Sequence, residues 1–138
     1  MSTPKKTAKK KTAAIKVPAN IVWFEIPADD VGRARSFYAK LFGWKIKKFP
    51  SPMEYWHIDT GGADASPDGG LMKRQPGQQG ITNYILVPSV DQFMAKVQKL
   101  GGKVCMPKTE VAQMGYFAVC LDTENNAFAI WEMIKKAK

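Results

Sequence analysis

The apolar run Ile21–Ile26, broken only by Glu25, reads as a strand whose side chains alternate, so Val22, Phe24 and Ile26 share one face while Trp23 and Glu25 project from the other. The chain turns at Pro27. Asp29 or Asp30 can then cap a helix whose apolar positions are Val31, Ala34, Phe37, Tyr38, Leu41 and Phe42, with Gly43 as its stop. The same pattern returns 59 positions later, where Val22 falls on Ile81, Ile26 on Ile85, Asp30 on Ser89, Ala34 on Phe93, Tyr38 on Val97 and Leu41 on Leu100. Ser89-Val90-Asp91-Gln92 has the spacing of a capping box, and Val90, Phe93, Met94, Val97 and Leu100 form the second apolar stripe, ended by Gly101-Gly102. Each helix is followed by three strand-like segments: 45–49, 55–59 and 70–73 in the first copy, 103–105, 116–121 and 127–133 in the second. The prediction is an α+β domain over residues 20–134, made of tandem βαβββ modules at about 21–74 and 81–133.

Composition narrows the class. The chain of 138 residues is 45% hydrophobic and 11% aromatic, enough for one compact core or for two small units sharing one. No apolar run approaches a membrane span, and the basic N-terminus has no apolar h-region, so a cytoplasmic protein is expected. Net charge is +9, yet nine of the 21 Lys and Arg residues lie in residues 1–20 and 135–138, leaving twelve against twelve acids in the body. Residues 1–19 read as a disordered basic leader and 135–138 as a basic tail. With no patterned surplus on the folded body, nucleic-acid binding is not expected beyond weak tail contacts. Cys105 and Cys120 both fall in strand-like segments and read as buried reduced thiols.

Candidate chemistry is sparse. The single histidine, His57, rules out a three-His zinc site or a two-His, one-carboxylate iron site within one chain. Its alternating strand, with Tyr55, His57 and Asp59 on one side and Trp56 and Ile58 on the other, favours a partly buried, hydrogen-bonded histidine. A carboxylate-only metal site would require Glu25, Glu132 and Asp59 to converge. No Ser or Cys has a histidine at a spacing that suggests a nucleophile.

The runs from Trp23 to Asp30 and from Ser36 to Trp44, the helix end Leu100-Gly101-Gly102-Lys103-Val104, and the stretch from Leu121 to Glu132 resemble the vicinal oxygen chelate superfamily, which comprises the glyoxalases, bleomycin-resistance proteins and extradiol dioxygenases. The resemblance covers residues 21–133 with both halves in place. It implies paired βαβββ modules whose curled mixed sheet encloses a central cavity, commonly in a homodimer, and enzymes that hold a divalent metal through His, Gln or Glu on inward strand positions. In this sequence those positions fall on Trp23, Thr82, a site near Gly70, and Ala129. None of these can build the metal shell, so no metal and no other cofactor is expected.

With the family's alternation, Trp23, Tyr84 and Trp131 project inward beside Thr82, Leu71 and Ala129. Either they wall a pocket for an apolar or aromatic small molecule oriented by Glu25 and Thr82, or they fill the space of a lost metal site as core. An inward Glu25 must be paired, hydrated or protonated, with Arg33, Arg35 or a tyrosine as candidate partners. Three functions follow: a metal-free small-molecule-binding protein, a lactoylglutathione-lyase-like lyase or isomerase with an atypical metal site, and a scaffold acting through its lysine-rich tail. The first is the reading the residues favour.

Overall fold

A computed structural model describes residues 18–50, 52–62, 67–77 and 80–134. The expected leader and C-terminal tail lie almost wholly outside the described residues. The elements run β1 (Ile21–Ala28), α1 (Val31–Phe42), β2 (Lys45–Lys48), β3 (Tyr55–Asp59), β4 (Asp68–Lys73), β5 (Thr82–Leu86), α2 (Val90–Lys99), β6 (Lys103–Val111), β7 (Gly115–Leu121) and β8 (Ala127–Met133). The eight strands form one curled mixed sheet in the order β2-β3-β4-β1-β5-β8-β7-β6. β1 and β4 pair in parallel, as do β5 and β8. The two modules are therefore mirror images in strand order, joined where β1 and β5 run antiparallel.

Both helices cover the same face. The Asp30 carboxylate caps α1 by accepting from the Arg33 N–H at 2.9 Å, and Gly43 closes it in the left-handed conformation, φ 74°. Ser89 caps α2, its hydroxyl accepting from the Gln92 N–H at 3.1 Å. Under α1, the first core joins Ile26, Ala28, Val31, Ile46, Ile58 and Leu71, with Phe24, Ala34, Tyr38, Trp44 and Trp56 packed against it. Under α2, the second joins Val87, Val90, Ala118, Cys120 and Ile130, with Phe93, Met94 and Val97 among its partners. At about 25 cal/mol per Å² of apolar surface removed from water, these two layers supply most of the drive to fold.

Four expectations change. Pro27 lies within β1 instead of ending it. Phe37, Leu41 and Phe42 are exposed, because only Val31, Ala34 and Tyr38 of the α1 stripe face the sheet; Phe42 leans on Tyr38 and Trp44 instead. The strand expected over 103–105 runs on to Val111 as β6, with register shifts at 104/106 and 106/109. β6 is an edge strand, so Pro107 sits where a missing N–H is tolerated. Cys105, at the first shift, is exposed, whereas Cys120 is buried, and both are free thiols.

Candidate functional site

Because Phe24 and Ile26 point into the first core, Trp23 and Glu25 must point from the sheet's open face, away from the helices. Register then assembles their neighbours. Trp23 lies opposite Tyr84 and Glu25 opposite Thr82 on β5, and Glu25 lies beside Gly70 on β4. His57 of β3 pairs with the same Gly70, which puts Tyr55 two residues along on the same face. Two inter-strand steps, roughly 10 Å, separate β3 from β1. Tyr55 crosses that gap by laying its ring over Gly70, where a Cβ would fall on the tyrosine hydroxyl. The missing side chain at position 70 is thus the space that Tyr55 fills.

The result is a connected group of four side chains. The Tyr55 hydroxyl donates to one Glu25 oxygen at 2.7 Å, the Tyr84 hydroxyl to the other at 3.0 Å, and the Trp23 indole N–H to the Tyr55 oxygen at 2.9 Å. Burial pushes the Glu25 carboxyl above its ordinary pKa, and the bonds from Tyr55 and Tyr84 oppose that shift without cancelling it. Burial and the negative charge and hydrogen bond of Glu25 drive both phenols far upward, which keeps them protonated donors. Of the partners expected for Glu25, the tyrosines are the ones found. Arg35 donates to the Ile46 carbonyl at 3.0 Å and stacks on Trp56, and Arg33 stays at the α1 cap.

Other open-face residues border this centre. His57 tilts against Trp23, ring centroids 5.5 Å apart, and its Nε2 meets Asp68 at 3.0 Å. Burial disfavours the ionised Asp68, yet the Thr60 N–H, His57 and the Thr60 hydroxyl together hold its pKa below the ordinary value. Phe117 of β7 packs on Tyr84 at 6.0 Å. Trp131 lies opposite Phe117 in register, its ring so close to Gly115 that a Cβ there would meet it. Ala129 is fully buried beside Tyr84, and Thr82 is nearly so.

One predicted pocket residue, Leu71, and the carboxylates considered for a metal lie elsewhere. Leu71 is fully buried in the first core beneath α1, because alternation along β4 puts Gly70 on the open face and Leu71 on the other. Glu132 also points to the helix side, where its carboxylate accepts from the Val90 N–H at the start of α2, at 2.9 Å. Asp59 accepts from the Gly61 N–H at 2.9 Å. The three carboxylates proposed as a metal shell therefore do not converge. Among the described residues, no group of three or more His, Cys, Asp or Glu is arranged to hold a metal ion. The family's metal does not fit these residues: its positions carry Trp23, Gly70, Thr82 and Ala129, and the Tyr55 hydroxyl fills the room above Gly70.

A family model described as bleomycin resistance protein-like N-terminal matches residues 20–61. A glyoxylase-like domain-containing protein of the fungus Didymella fabae is 33% identical over 115 residues, spanning 77% of this chain and 88% of its own length. The chain belongs to the vicinal oxygen chelate superfamily. Within that superfamily, CFP32 of Mycobacterium tuberculosis, named as a glyoxylase, is 26% identical over 115 residues and 80% of this chain; the chain spans 44% of the length of that relative. The methylmalonyl-CoA epimerase of M. tuberculosis shares the superfamily fold with a TM-score of 0.65 at 10% identity, over 88% of this chain and 94% of its own. Against this background, Tyr55 is the residue that sequence reasoning left out of the site. The signal was present, since Tyr55 alternates with His57 toward the face that Gly70 leaves open. Phe117 was missed because nothing local distinguishes an aromatic at a strand's open face from core.

Proposed function

We propose that this superfamily member binds a small apolar or aromatic molecule, without a metal, on the open face of its sheet around Trp23, Glu25, Tyr55 and Tyr84. The observation that carries the reading is coverage. Both helices lie on the opposite face, and Trp23, Glu25, Tyr55, Tyr84, Phe117 and Trp131 all remain half-buried instead of sealed as core. Aromatic rings with a single buried acid among them are the usual makings of a small-molecule site. A glyoxalase-type lyase with an atypical metal would need Glu132 beside Glu25, and the engagement of Glu132 at α2 counts against it. The scaffold reading concerns lysines outside the described residues. A homodimer is proposed on the resemblance and is tested by solution mass.

The experiment is quenching of tryptophan fluorescence by a panel of aromatic and aliphatic compounds, neutral, cationic and anionic. Saturable quenching is expected, and Trp23→Ala should abolish it. A panel without saturable response, or an unchanged response in Trp23→Ala, would refute the placement. Stoichiometric metal in protein purified without chelator would refute the metal-free part.

A further inference from the structure

We infer that the guest carries a positive charge: the open-face site is built to take a protonated amine on an apolar or aromatic body. The inference rests on the small-molecule reading above and adds the ligand's class. It follows from a count of donors and acceptors at the centre. Both phenol hydroxyls donate to Glu25, and the Trp23 N–H donates to Tyr55. Those three donors are spent. A carboxylate offers about four lone-pair directions, and two of the four on Glu25 are filled by the tyrosines, so each oxygen can accept once more. Thr82, opposite Glu25, adds a hydroxyl that accepts as readily as it donates. Among these groups a guest bringing a carbonyl, carboxylate or phosphate finds only the Thr82 hydroxyl left to donate, whereas a guest bringing N–H donors finds acceptors on both Glu25 oxygens.

Charge points the same way. Among the described residues no lysine or arginine pairs with Glu25. Arg33 and Arg35 are engaged at Asp30 and Ile46, Lys73 donates to the Asp29 carbonyl at 2.7 Å, and the open-face Lys45 and Lys47 sit on the edge strand β2, three strands from β1. Asp68, beside Trp23 in register and bonded to His57, places a second acid at the rim. A half-buried carboxylate without a counter-ion carries a desolvation cost that a cationic guest would offset. Trp23, Tyr84 and Phe117 supply ring faces, and an ammonium group within about 6 Å of such a ring is attracted by its quadrupole. The same features repel anionic guests such as acyl thioesters of phosphorylated carriers.

The test is a charge series of matched shape on the full chain, read by calorimetry and tryptophan fluorescence: 2-phenylethylamine, 2-phenylethanol and 3-phenylpropionate. The amine should bind at least about tenfold more tightly than the alcohol, with no response to the propionate. In Glu25→Gln the advantage of the amine should collapse. Should that variant fail to fold, the wild-type series decides alone. If the alcohol or the propionate binds as tightly as the amine, the cationic class is refuted and the small-molecule reading stands. If none of the three binds natively folded protein, both fall.

Discussion

Gly70→Ala probes the whole arrangement with one methyl group. Gly70 is not among the glycines with positive φ, so alanine meets no backbone strain there. The Cβ would nevertheless fall on the Tyr55 hydroxyl, and the ring must leave. Leaving breaks the 2.7 Å bond to Glu25 and the 2.9 Å bond from Trp23. A hydrogen bond to a charged group contributes roughly 1.5–3 kcal/mol and a neutral one about 1, and partial access to water at this half-buried site brings the joint loss to about 2–3 kcal/mol. Alanine returns about 0.5–1 kcal/mol by restricting the unfolded chain, leaving a net cost of about 1–2.5 kcal/mol. With a urea m-value of ~2 kcal/mol/M, the unfolding midpoint should drop by roughly 0.5–1.2 M. In a Tyr55→Ala background the obstruction is gone, and the same Gly70→Ala change should be neutral or stabilise by up to about 1 kcal/mol. The sign reversal is the decisive measurement. An equal effect in both backgrounds, or a stabilised single variant, would refute the claim that Tyr55 occupies the space above residue 70.

Glu25→Gln tests the buried acid through pH. Burial raises the folded-state pKa of Glu25 above its ordinary 4.5, so in the window upward from that value the native state holds a proton the unfolded chain has released. Wild-type stability should therefore fall, relative to Glu25→Gln, as pH rises through that window and level off above it; thermal midpoints against pH that diverge the other way would contradict the burial. Glu132→Ala removes the acceptor for the Val90 N–H and should cost about 0.5–2 kcal/mol in urea unfolding, as for lost helix caps, while leaving fluorescence quenching by guests unchanged. Loss of guest binding in a folded Glu132→Ala protein would place Glu132 in the site, contrary to its engagement at α2. Trp23→Ala should abolish quenching yet leave the far-UV circular dichroism of the sheet intact, since Trp23 belongs to neither helix-side core.

The fold was readable because two independent patterns agreed: alternation along β1 and helical spacing after each cap, with apolar and capping positions returning 59 residues later. Alternation put Trp23 and Glu25 on one face of β1, and the family resemblance implied that this face and Tyr84 point inward. Leu71 went wrong because a glycine pair hid the phase of β4. With Gly69 and Gly70 both lacking side chains, nothing in the sequence says which faces inward until β3 and β1 fix the register. Tyr55 was placed on the correct side but not in the site, because its reach across an intervening strand depends on what that strand lacks. Glu132 shows the opposite difficulty. A strand carboxylate can serve a helix N-terminus 42 residues earlier in the chain, and no local pattern announces such a pairing.

The module symmetry explains why the site takes this asymmetric form. Glu25 and Tyr84 are 59 positions apart, the interval of the repeat, so their hydrogen bond joins equivalent positions across the β1–β5 seam. The partner strands obey the same relation, Glu25 beside Gly70 and Tyr84 beside Ala129. Identical residues at the seam would serve poorly there: two carboxylates would repel in a desolvated setting, and two phenols would leave no strong acceptor. Glutamate on one module and tyrosine on the other lets a donor meet an acceptor. The glycine at position 70, against alanine at 129, then admits a second donor from one side only. The seam's departures from its own repeat thus create a carboxylate held by two phenols with acceptor capacity to spare. Neither module alone contains that arrangement, so its chemistry exists only while the two are joined.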